Sequence, residues 1–277
     1  MKNPYNKWIY PGGEVGVRIE NAERVCTFRI QNSDDLVAML MVIDAYKEDT
    51  GRPILSVLIP YLPYARQDRV ATKGDPLAVR VLAKMLASAG IKYVYTVDVH
   101  SHKSIDLFEE QGISLVSNSP AIFIRDYLKK LQVLPSKVAF IAPDHGSREK
   151  TENYCKELKV DRAIQCAKKR DPITGKLTGF AVEIAPSATQ AGLERDGITD
   201  LVITDDICDG GGTFHGVAEA IRSTYGSGFK LHLWTTHGIY SKGIDPLLQT
   251  FDTLGCTNTF INNHEPFSRF HVIEAIG

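Results

Sequence analysis

Residues 201–213 read LVITDDICDGGGT, an apolar run followed by two carboxylates and then by three consecutive glycines. An unbroken apolar run of this length is typical of a strand buried on both faces, as in a parallel sheet. Residues 214–225 have apolar side chains at helical spacing, so the glycines are predicted to lead from a strand into a helix. Glycines let backbone N–H groups crowd around an anion, and a helix N-terminus favours negative charge. The stretch therefore predicts a site with carboxylates for vicinal hydroxyls and a turn for phosphate. The alternative is an acidic strand end with a flexible loop, which leaves three glycines in a row unexplained.

The rest of the chain repeats this alternation of strand and helix. Similar apolar runs occur at residues 54–59, 93–97 and 138–141. Helices are predicted to begin at Ser33, at Asp75-Pro76 and at Ser119-Pro120, because small polar residues and proline favour helix starts. Regular alternation predicts an α/β fold with a mainly parallel sheet, and such sheets bind ligands at the carboxyl ends of their strands.

Composition excludes several classes of function. The chain has 277 residues, with 32 Lys and Arg against 33 Asp and Glu, so it lacks the broad basic charge of a nucleic-acid-binding protein. Its five cysteines form no C-x-x-C pair, which indicates reduced thiols and not a disulfide framework or a zinc site. No apolar run reaches the roughly 18 residues of a membrane span. We expect a cytoplasmic protein that binds neither nucleic acid nor a membrane.

Several further segments, taken with the strand–glycine stretch, resemble one enzyme family. They are residues 32–47, IPYLPYARQDR at 59–69, TVDVH at 96–100, APDHG at 142–146 and THGIYS at 236–241. In this order they resemble the ribose-phosphate pyrophosphokinases (5-phosphoribosyl 1-diphosphate synthetases), of which the chain would be a short, divergent member. The resemblance implies two phosphoribosyltransferase-like α/β domains, each with a mainly parallel sheet flanked by helices. We place an ATP-binding domain at residues 1–117 and a ribose-phosphate-binding domain at 118–277.

The segment YARQDR carries two arginines and an amide after an apolar run, and guanidinium groups offer forked donors to phosphate oxygens. The alternative for such mixed charges is a surface cluster of salt bridges. The resemblance implies that the segment binds ATP. The residues it implies for ATP binding are Glu14, Arg66, Gln67, Asp68 and His100.

A metal-binding pattern follows the run at residues 93–97. Asp98, His100 and His102 are spaced two apart, so on a strand they would share one face. Zinc would need further nitrogen or sulfur ligands, whereas Mg²⁺ needs few protein ligands when nucleotide phosphates supply the rest. The resemblance implies that His100 and Asp144 hold Mg²⁺ with ATP, while His102 is interpreted as an ordinary polar residue.

Basic residues follow the short strand predicted at residues 163–166. Phosphoryl transfer passes through a loose transition state whose charge positioned cations stabilise. The resemblance implies that Lys168 and Arg170 are catalytic, with Lys169 taking the lysine role if the alignment shifts by one. Without the resemblance, a solvated basic patch would be the default interpretation. Residues 171–176 are predicted to form a hairpin-like turn.

The resemblance also assigns the sugar site and shows where this chain departs from its family. The residues implied for ribose phosphate are Asp205, Asp206, Asp209, Gly210, Gly211, Gly212 and Thr213. Ser147 stands where the family usually has a glycine, Gly12 replaces an aspartate that helps to hold adenine, and Gly210 replaces a threonine that contacts the 5-phosphate. Losing that hydroxyl removes a donor and opens space, which suits a phosphate esterified to a larger group, such as that of ADP-ribose. Ribose 5-phosphate and ADP-ribose are both kept as acceptors, the latter feeding NAD synthesis.

The resemblance implies a diphosphokinase that moves the β,γ-diphosphate of Mg-ATP to the C1 hydroxyl of a ribose 5-phosphate unit and releases AMP. It also implies a homo-oligomer. Two alternatives remain: a non-catalytic regulatory relative, and a phosphoribosyltransferase that uses the activated sugar.

Overall fold

The computed structural model of the chain describes residues 4–21, 26–170, 177–183, 188–260 and 268–276, without the side chains of Arg170 and Leu177. These residues form two units. One contains the described residues up to Ser119 together with Thr259, Phe260 and Ile276, and the other runs from Pro120 to Asn258 and includes the described residues from 268 to Ala275. The chain divides after Ser119, two residues beyond the boundary predicted after residue 117.

The first unit contains a small parallel sheet and an antiparallel pair of strands. Its strands are β1 (Tyr5–Ile9), β2 (Val15–Ile19), β3 (Ser56–Leu58), β4 (Tyr93–Val97) and β5 (Ser114–Asn118), and its helices are α1 (Ser33–Thr50), α2 (Ala78–Ser88) and α3 (His102–Glu109). Strands β1 and β2 pair antiparallel, while β3, β4 and β5 pair parallel in that order. The core of this unit joins buried side chains of α1 and α2 to those of the parallel strands, including Met39, Leu82 and Val94.

The second unit is built on a seven-stranded sheet. Its strands are β6 (Val138–Ala142), β7 (Arg162–Arg170), β8 (Leu177–Glu183), β9 (Asp200–Cys208), β10 (Lys230–Gly238), β11 (Thr253–Thr257) and β12 (Phe270–Ile273), and its helices are α4 (Ala121–Leu131), α5 (Arg148–Leu158), α6 (Gln190–Arg195), α7 (Gly212–Tyr225) and α8 (Asp245–Thr250). The strand order is β12-β11-β10-β9-β6-β7-β8, and every pair is parallel except β7 with β8.

Residues 201–203 of strand β9 show why the middle of this sheet is apolar. Leu201 and Ile203 pack in a core cluster with helix α7, while Val202 packs in a second cluster with side chains of α4 and α5. Successive side chains of a strand point to opposite faces, so consecutive positions covered by helices on both faces are apolar. The predicted α/β class with mainly parallel sheets is therefore confirmed.

Local chemistry explains where the predicted helix starts differ from the observed ones. Helix α1 begins at Ser33 as predicted, but its cap is Asn32, because Asn32 and Asp35 each accept a hydrogen bond from the other's backbone amide. Asp75 does not cap α2, since its carboxylate accepts from the amide of Thr72 and the helix begins at Ala78. Pro120 occupies the N-cap position of α4 without a side-chain cap.

Two strand lengths also differ from the prediction. The apolar run at 54–59 forms a strand only at Ser56–Leu58, while β9 extends through Asp205 and Asp206 to Cys208. The two carboxylates therefore lie within the strand and not after it. Among the residues that the structure describes, no helix is long and apolar enough to cross a membrane.

Candidate active site

The first cluster of predicted site residues lies where β6 and β7 end side by side. Asp144 follows β6 and accepts a hydrogen bond of 2.5 Å from Nζ of Lys168, a residue of β7. The other carboxylate oxygen of Asp144, Oδ1, accepts from the backbone amides of Gly146 (2.9 Å) and Ser147 (3.2 Å). The predicted metal ligand and the predicted catalytic lysine are thus direct partners.

This environment keeps Asp144 ionised. Burial opposes ionisation, but the hydrogen bond and charge of Lys168, with the two backbone amides, lower the pKa of Asp144. About a third of the Lys168 side chain and a quarter of that of Asp144 are exposed, so the pair is partly open to solvent.

Ser147 gives the loop after β6 its shape. Its hydroxyl donates to the carbonyl of Asp144 (2.9 Å) and accepts from the Asp144 amide (3.2 Å). Asp144 and Ser147 thereby form a reciprocal cap, and Ser147 is buried. The side chain that departs from the family pattern fastens the aspartate in place and does not point into open space.

The second cluster is the acidic pair of β9. Oδ1 of Asp205 accepts from the amide of Asp206 at 3.0 Å, and Nζ of Lys150 lies 3.7 Å from Oδ1 of Asp206. Burial, followed by the charge of Asp206, raises the pKa of Asp205 well above that of an ordinary carboxyl, although Lys150 opposes the shift. The sequence analysis missed Lys150, which lies in the first turn of α5 and becomes a neighbour only when α5 packs beside β9.

The turn after β9 is the predicted phosphate site. Gly211 has a φ of +77° at the N-cap of α7, a backbone conformation that glycine adopts without strain. The amides of Phe214 and His215 both donate to the carbonyl of Gly211. The first N–H groups of a helix have no acceptor within the helix, so this turn directs backbone donors toward an incoming anion.

Two residues that the sequence analysis did not select contact this turn. A Cβ atom added at Gly211 would lie 3.0 Å from Leu247 of α8, and one added at Gly210 would lie 3.4 Å from Lys242. Lys242 directly follows the THGIYS segment, and that position is the only sequence signal that could have pointed to it.

In the first unit, the residues predicted to bind ATP lie on three loops. Arg66 and Gln67 are exposed after β3, Glu14 is exposed in the turn between β1 and β2, and His100 is exposed after β4. Asp68 accepts a hydrogen bond of 2.5 Å from the hydroxyl of Ser101, which links the loop after β3 to the one after β4. The structure thus brings Asp68 and the His100 segment together.

The strand spacing proposed for Asp98, His100 and His102 was wrong. Strand β4 ends at Val97, Asp98 has a φ of +48°, and His102 begins helix α3. The backbone turns at Asp98, so these three side chains do not share a strand face. The assignment of His100 to ATP and magnesium rests on the resemblance alone.

The predicted catalytic role of Arg170 and the turn predicted at residues 171–176 concern the end of β7 and the segment that follows it. Arg170 ends β7, but its side chain lies outside the described residues, as does the turn predicted at residues 171–176. Within the described parts of the chain, three or more His, Cys, Asp or Glu side chains nowhere gather as a metal site would require.

The fold is of the phosphoribosyltransferase type, and comparison with known proteins shows which of them this chain resembles. Residues 10–90 match the N-terminal domain of ribose phosphate pyrophosphokinase. The ribose-phosphate pyrophosphokinase of Pyrococcus furiosus is 28% identical, over 96% of this chain and 88% of its own. Ribose-phosphate pyrophosphokinase 2 of Archaeoglobus fulgidus is also 28% identical, over 96% of this chain and 87% of its own. The crystal structure of phosphoribosylpyrophosphate synthetase from Mycobacterium smegmatis has the same fold, with a TM-score of 0.75 at 22% identity over 98% of this chain and 85% of its own.

These matches agree with the resemblance to the ribose-phosphate pyrophosphokinases that the sequence motifs carry. The predicted enzyme class, a diphosphokinase-type transferase, is the class of the named relatives.

Proposed function

We propose that this chain transfers the β,γ-diphosphate of ATP to the C1 hydroxyl of a ribose 5-phosphate unit and releases AMP. The observation that carries the proposal is the pairing of Lys168 with Asp144 at the ends of β6 and β7. Strand β9, with Asp205, Asp206 and the glycine turn, is the next strand of the same sheet beside β6. A cation for a transferred phosphoryl group, on β7, and acceptors for a sugar diol, on β9, thus lie on the two strands that flank β6.

The reaction needs little covalent chemistry from the protein. The C1 oxygen forms a bond to the β-phosphorus, the bond from that phosphorus to the bridging oxygen breaks, and AMP leaves with that oxygen. The hydroxyl proton passes to solvent or to a nearby base. Lys168, held by Asp144, places positive charge where the phosphoryl oxygens gain negative charge, and Arg170 is proposed to act beside it.

The sugar is proposed to bind along β9 and its turn. Asp205 and Asp206 accept hydrogen bonds from the ribose hydroxyls, and the segment from Asp209 through Gly210, Gly211 and Gly212 to Thr213 binds the 5-phosphate through backbone N–H groups. The raised pKa of Asp205 supports this role, because a carboxylate crowded by a second one gains from new hydrogen-bond donors.

Magnesium would be held by Asp144 and His100 together with the phosphates of ATP. The donor set fits Mg²⁺, which takes one or two protein ligands and keeps water and phosphate for the remainder. Three of the acceptor sites of Asp144 are taken by Lys168 and two amides, which leaves room for one further partner. When bound, the ion would neutralise charge on the transferred diphosphate.

ATP is proposed to bind through Glu14, Arg66, Gln67, Asp68 and His100. The two exposed polar side chains after β3 suit a polyphosphate, and Asp68 is fixed by its bond to Ser101. Gly12 lacks the carboxylate that family members direct at adenine, so base selectivity is expected to be weaker than phosphate binding. A homo-oligomer, as the family resemblance implies, is proposed as the working form.

ADP-ribose is proposed as a second acceptor beside ribose 5-phosphate, on the strength of Gly210. A glycine here offers no hydroxyl to a terminal phosphate, whose dianionic charge needs donors most. ADP-ribose keeps a free C1 hydroxyl and presents its 5-phosphate as part of a diphosphate bridge. Its diphosphorylated product would be a substrate for NAD synthesis.

The test is formation of AMP from ATP and magnesium with each sugar phosphate in turn. AMP made with either sugar supports the proposal, and kcat/KM for the two sugars under identical conditions ranks them. A preference for ribose 5-phosphate above about tenfold, roughly 1.4 kcal/mol of transition-state free energy, would exclude ADP-ribose as the natural acceptor. No AMP with either sugar would favour a regulatory relative, and release of diphosphate from the activated sugar would favour a phosphoribosyltransferase.

A further inference from the structure

Lys242 lies against the glycine turn after β9. A Cβ atom added at Gly210 would lie 3.4 Å from Cε of Lys242, 3.6 Å from Cδ and 3.9 Å from Cγ. Three consecutive carbons of the lysine therefore run along the position that a side chain at residue 210 would occupy. The space that glycine leaves at this point is covered by the stem of Lys242.

The backbone that carries Lys242 is fixed to the same strand end. The amides of Ile239 and Tyr240 both donate to the carbonyl of Cys208, the last residue of β9, at 2.9 and 3.1 Å. The ring of Tyr240 is buried and lies over Gly238, and its hydroxyl bonds to that of Thr235. These contacts hold the turn after β10 beside the glycine turn, so the position of Lys242 does not depend on a free loop.

The ammonium group of Lys242 is available to a ligand. Lys242 is exposed, and within the described parts of the chain it takes part in no hydrogen bond or ion pair. A lysine whose stem packs along a surface keeps its charged end in solvent, within reach of an anion. Backbone donors at the start of α7 already direct an anion to this place.

The backbone conformation at residue 210 does not require glycine. Its φ lies outside the left-handed region, unlike that of its neighbour Gly211. A Cβ would make only ordinary contact with Lys242, but the branched side chain of threonine would extend into the lysine stem. The absence of a side chain at residue 210 and the presence of Lys242 are therefore linked by packing.

We propose that Lys242 is a specificity-determining residue that binds the phosphate on the ribose C5 oxygen. Its charge supplies the donor that a hydroxyl at residue 210 would otherwise give, and Gly210 makes room for its stem. This proposal rests on the proposed sugar site. The chemistry recognised is a C5-linked phosphate, either the terminal phosphate of ribose 5-phosphate or the near phosphate of ADP-ribose.

The first test is Lys242→Met, which keeps the stem and removes the charge. Loss of a charged hydrogen bond predicts a rise of about tenfold or more in KM for the sugar phosphate, with kcat changed by less than about threefold and Tm unchanged. Lys230→Met, at the opposite end of β10, is the matched control and should alter neither constant. Measuring both sugars shows which C5 phosphate the lysine binds. A KM within about threefold of wild type for both sugars, or a loss confined to kcat, would overturn the proposal.

The second test is a double-mutant cycle. Gly210→Thr alone should lower kcat/KM because the new side chain displaces the Lys242 stem. Lys242→Gly is the other single variant of the cycle. In the double variant, the loss of the lysine stem restores space for the threonine hydroxyl, so activity should be higher than the product of the two single effects. Contacting residues show such coupling and independent ones do not. Strict additivity would overturn the linkage.

The role of Lys242 can be tested even if the chain does not catalyse the proposed reaction. If wild type makes no AMP, calorimetry with ribose 5-phosphate and ADP-ribose measures the lysine directly. Binding by wild type that weakens about tenfold in Lys242→Met supports Lys242 while the proposed reaction fails. Binding equal in wild type and Lys242→Met, or absent from both, overturns the role of Lys242.

Discussion

Asp144 follows β6 and Asp205 lies on the neighbouring strand β9, and their surroundings shift their pKa values in opposite directions. Asp144 receives three hydrogen bonds, one of them from a lysine, and its pKa is lowered. Asp205 is crowded by Asp206 and surrounded by protein, and its pKa is raised. The charge of Asp144 is thus satisfied by the protein itself, whereas that of Asp205 is not.

The difference separates two kinds of site residue. A carboxylate that the fold already satisfies can position another group, as Asp144 positions Lys168. A carboxylate that the fold leaves strained is stabilised when a ligand brings hydrogen-bond donors, as ribose hydroxyls would.

The largest effect on activity is expected at the ion pair of Lys168 and Asp144. Lys168→Ala should lower kcat by about 100-fold or more and leave KM for the sugar within a few-fold, because it removes a cation placed for the transition state. Steady-state kinetics checks this. Lys169→Ala is the matched control, since adjacent residues of a strand point to opposite faces. A large loss in Lys169→Ala with normal Lys168→Ala would move the catalytic role by one residue.

The second largest effect is expected on sugar binding, at the carboxylate pair of Asp205 and Asp206. Asp205→Asn and Asp206→Asn should each weaken sugar binding by about tenfold or more, through loss of charge-assisted hydrogen bonds worth roughly 1.5–3 kcal/mol. ATP binding should be unchanged. Calorimetry with each ligand measures both, and unchanged sugar affinity in both variants would remove these residues from the site.

A smaller effect is expected on stability, with opposite signs for the two aspartates. Without ligand, Asp205→Asn should raise Tm because it removes a charge that burial and Asp206 disfavour, and Asp144→Asn should lower it by releasing Lys168. A change of about 1 kcal/mol corresponds to roughly 2–4 °C in a unit of this size. Asp161→Asn, an exposed aspartate before β7, controls for the substitution itself. A lower Tm for Asp205→Asn would show that its charge is well accommodated.

The smallest effect is in the dependence of stability on pH. The folded state binds a proton at Asp205 more tightly than the unfolded chain does, so its ionisation penalty is absent below the ordinary carboxyl pKa and grows as pH rises toward the folded value. The Tm advantage of Asp205→Asn should therefore disappear in acid. Asp144 behaves oppositely, since its lowered pKa contributes stability above the ordinary value that is lost as pH falls. Thermal unfolding from neutral pH to about pH 2.5, below the ordinary carboxyl pKa, tests both, and parallel curves for the two variants would contradict the assignment.

The fold class could be predicted from the sequence because apolar runs and turn residues report local structure directly. The strands at 93–97 and 138–142 and the helix that begins at Gly212 follow from such signals. The end of β9 could not be predicted, because Asp205 and Asp206 have strand backbones but the composition of a loop.

Some residues of the candidate site could be predicted from the sequence, and others could not. Its glycine turn and acidic pair were visible as a motif, whereas Lys150 and Lys242 reach it only through tertiary packing of α5 and of the turn after β10. Ser147 was visible as a departure from the family, but its role became clear only from its bonds to Asp144.

The turn after β10 contains positions that packing constrains and positions that are exposed to solvent. Any side chain at Gly238 would collide with the ring of Tyr240, whose Cε2 would lie 2.3 Å from a new Cβ, and the Tyr240 amide is bonded to β9. The next two residues, Ser241 and Lys242, are exposed. Substitution of residue 242 would therefore leave the backbone that holds it unchanged. Under the role proposed for Lys242, single substitutions at this point would alter the preference for the acceptor sugar with little cost in folding stability.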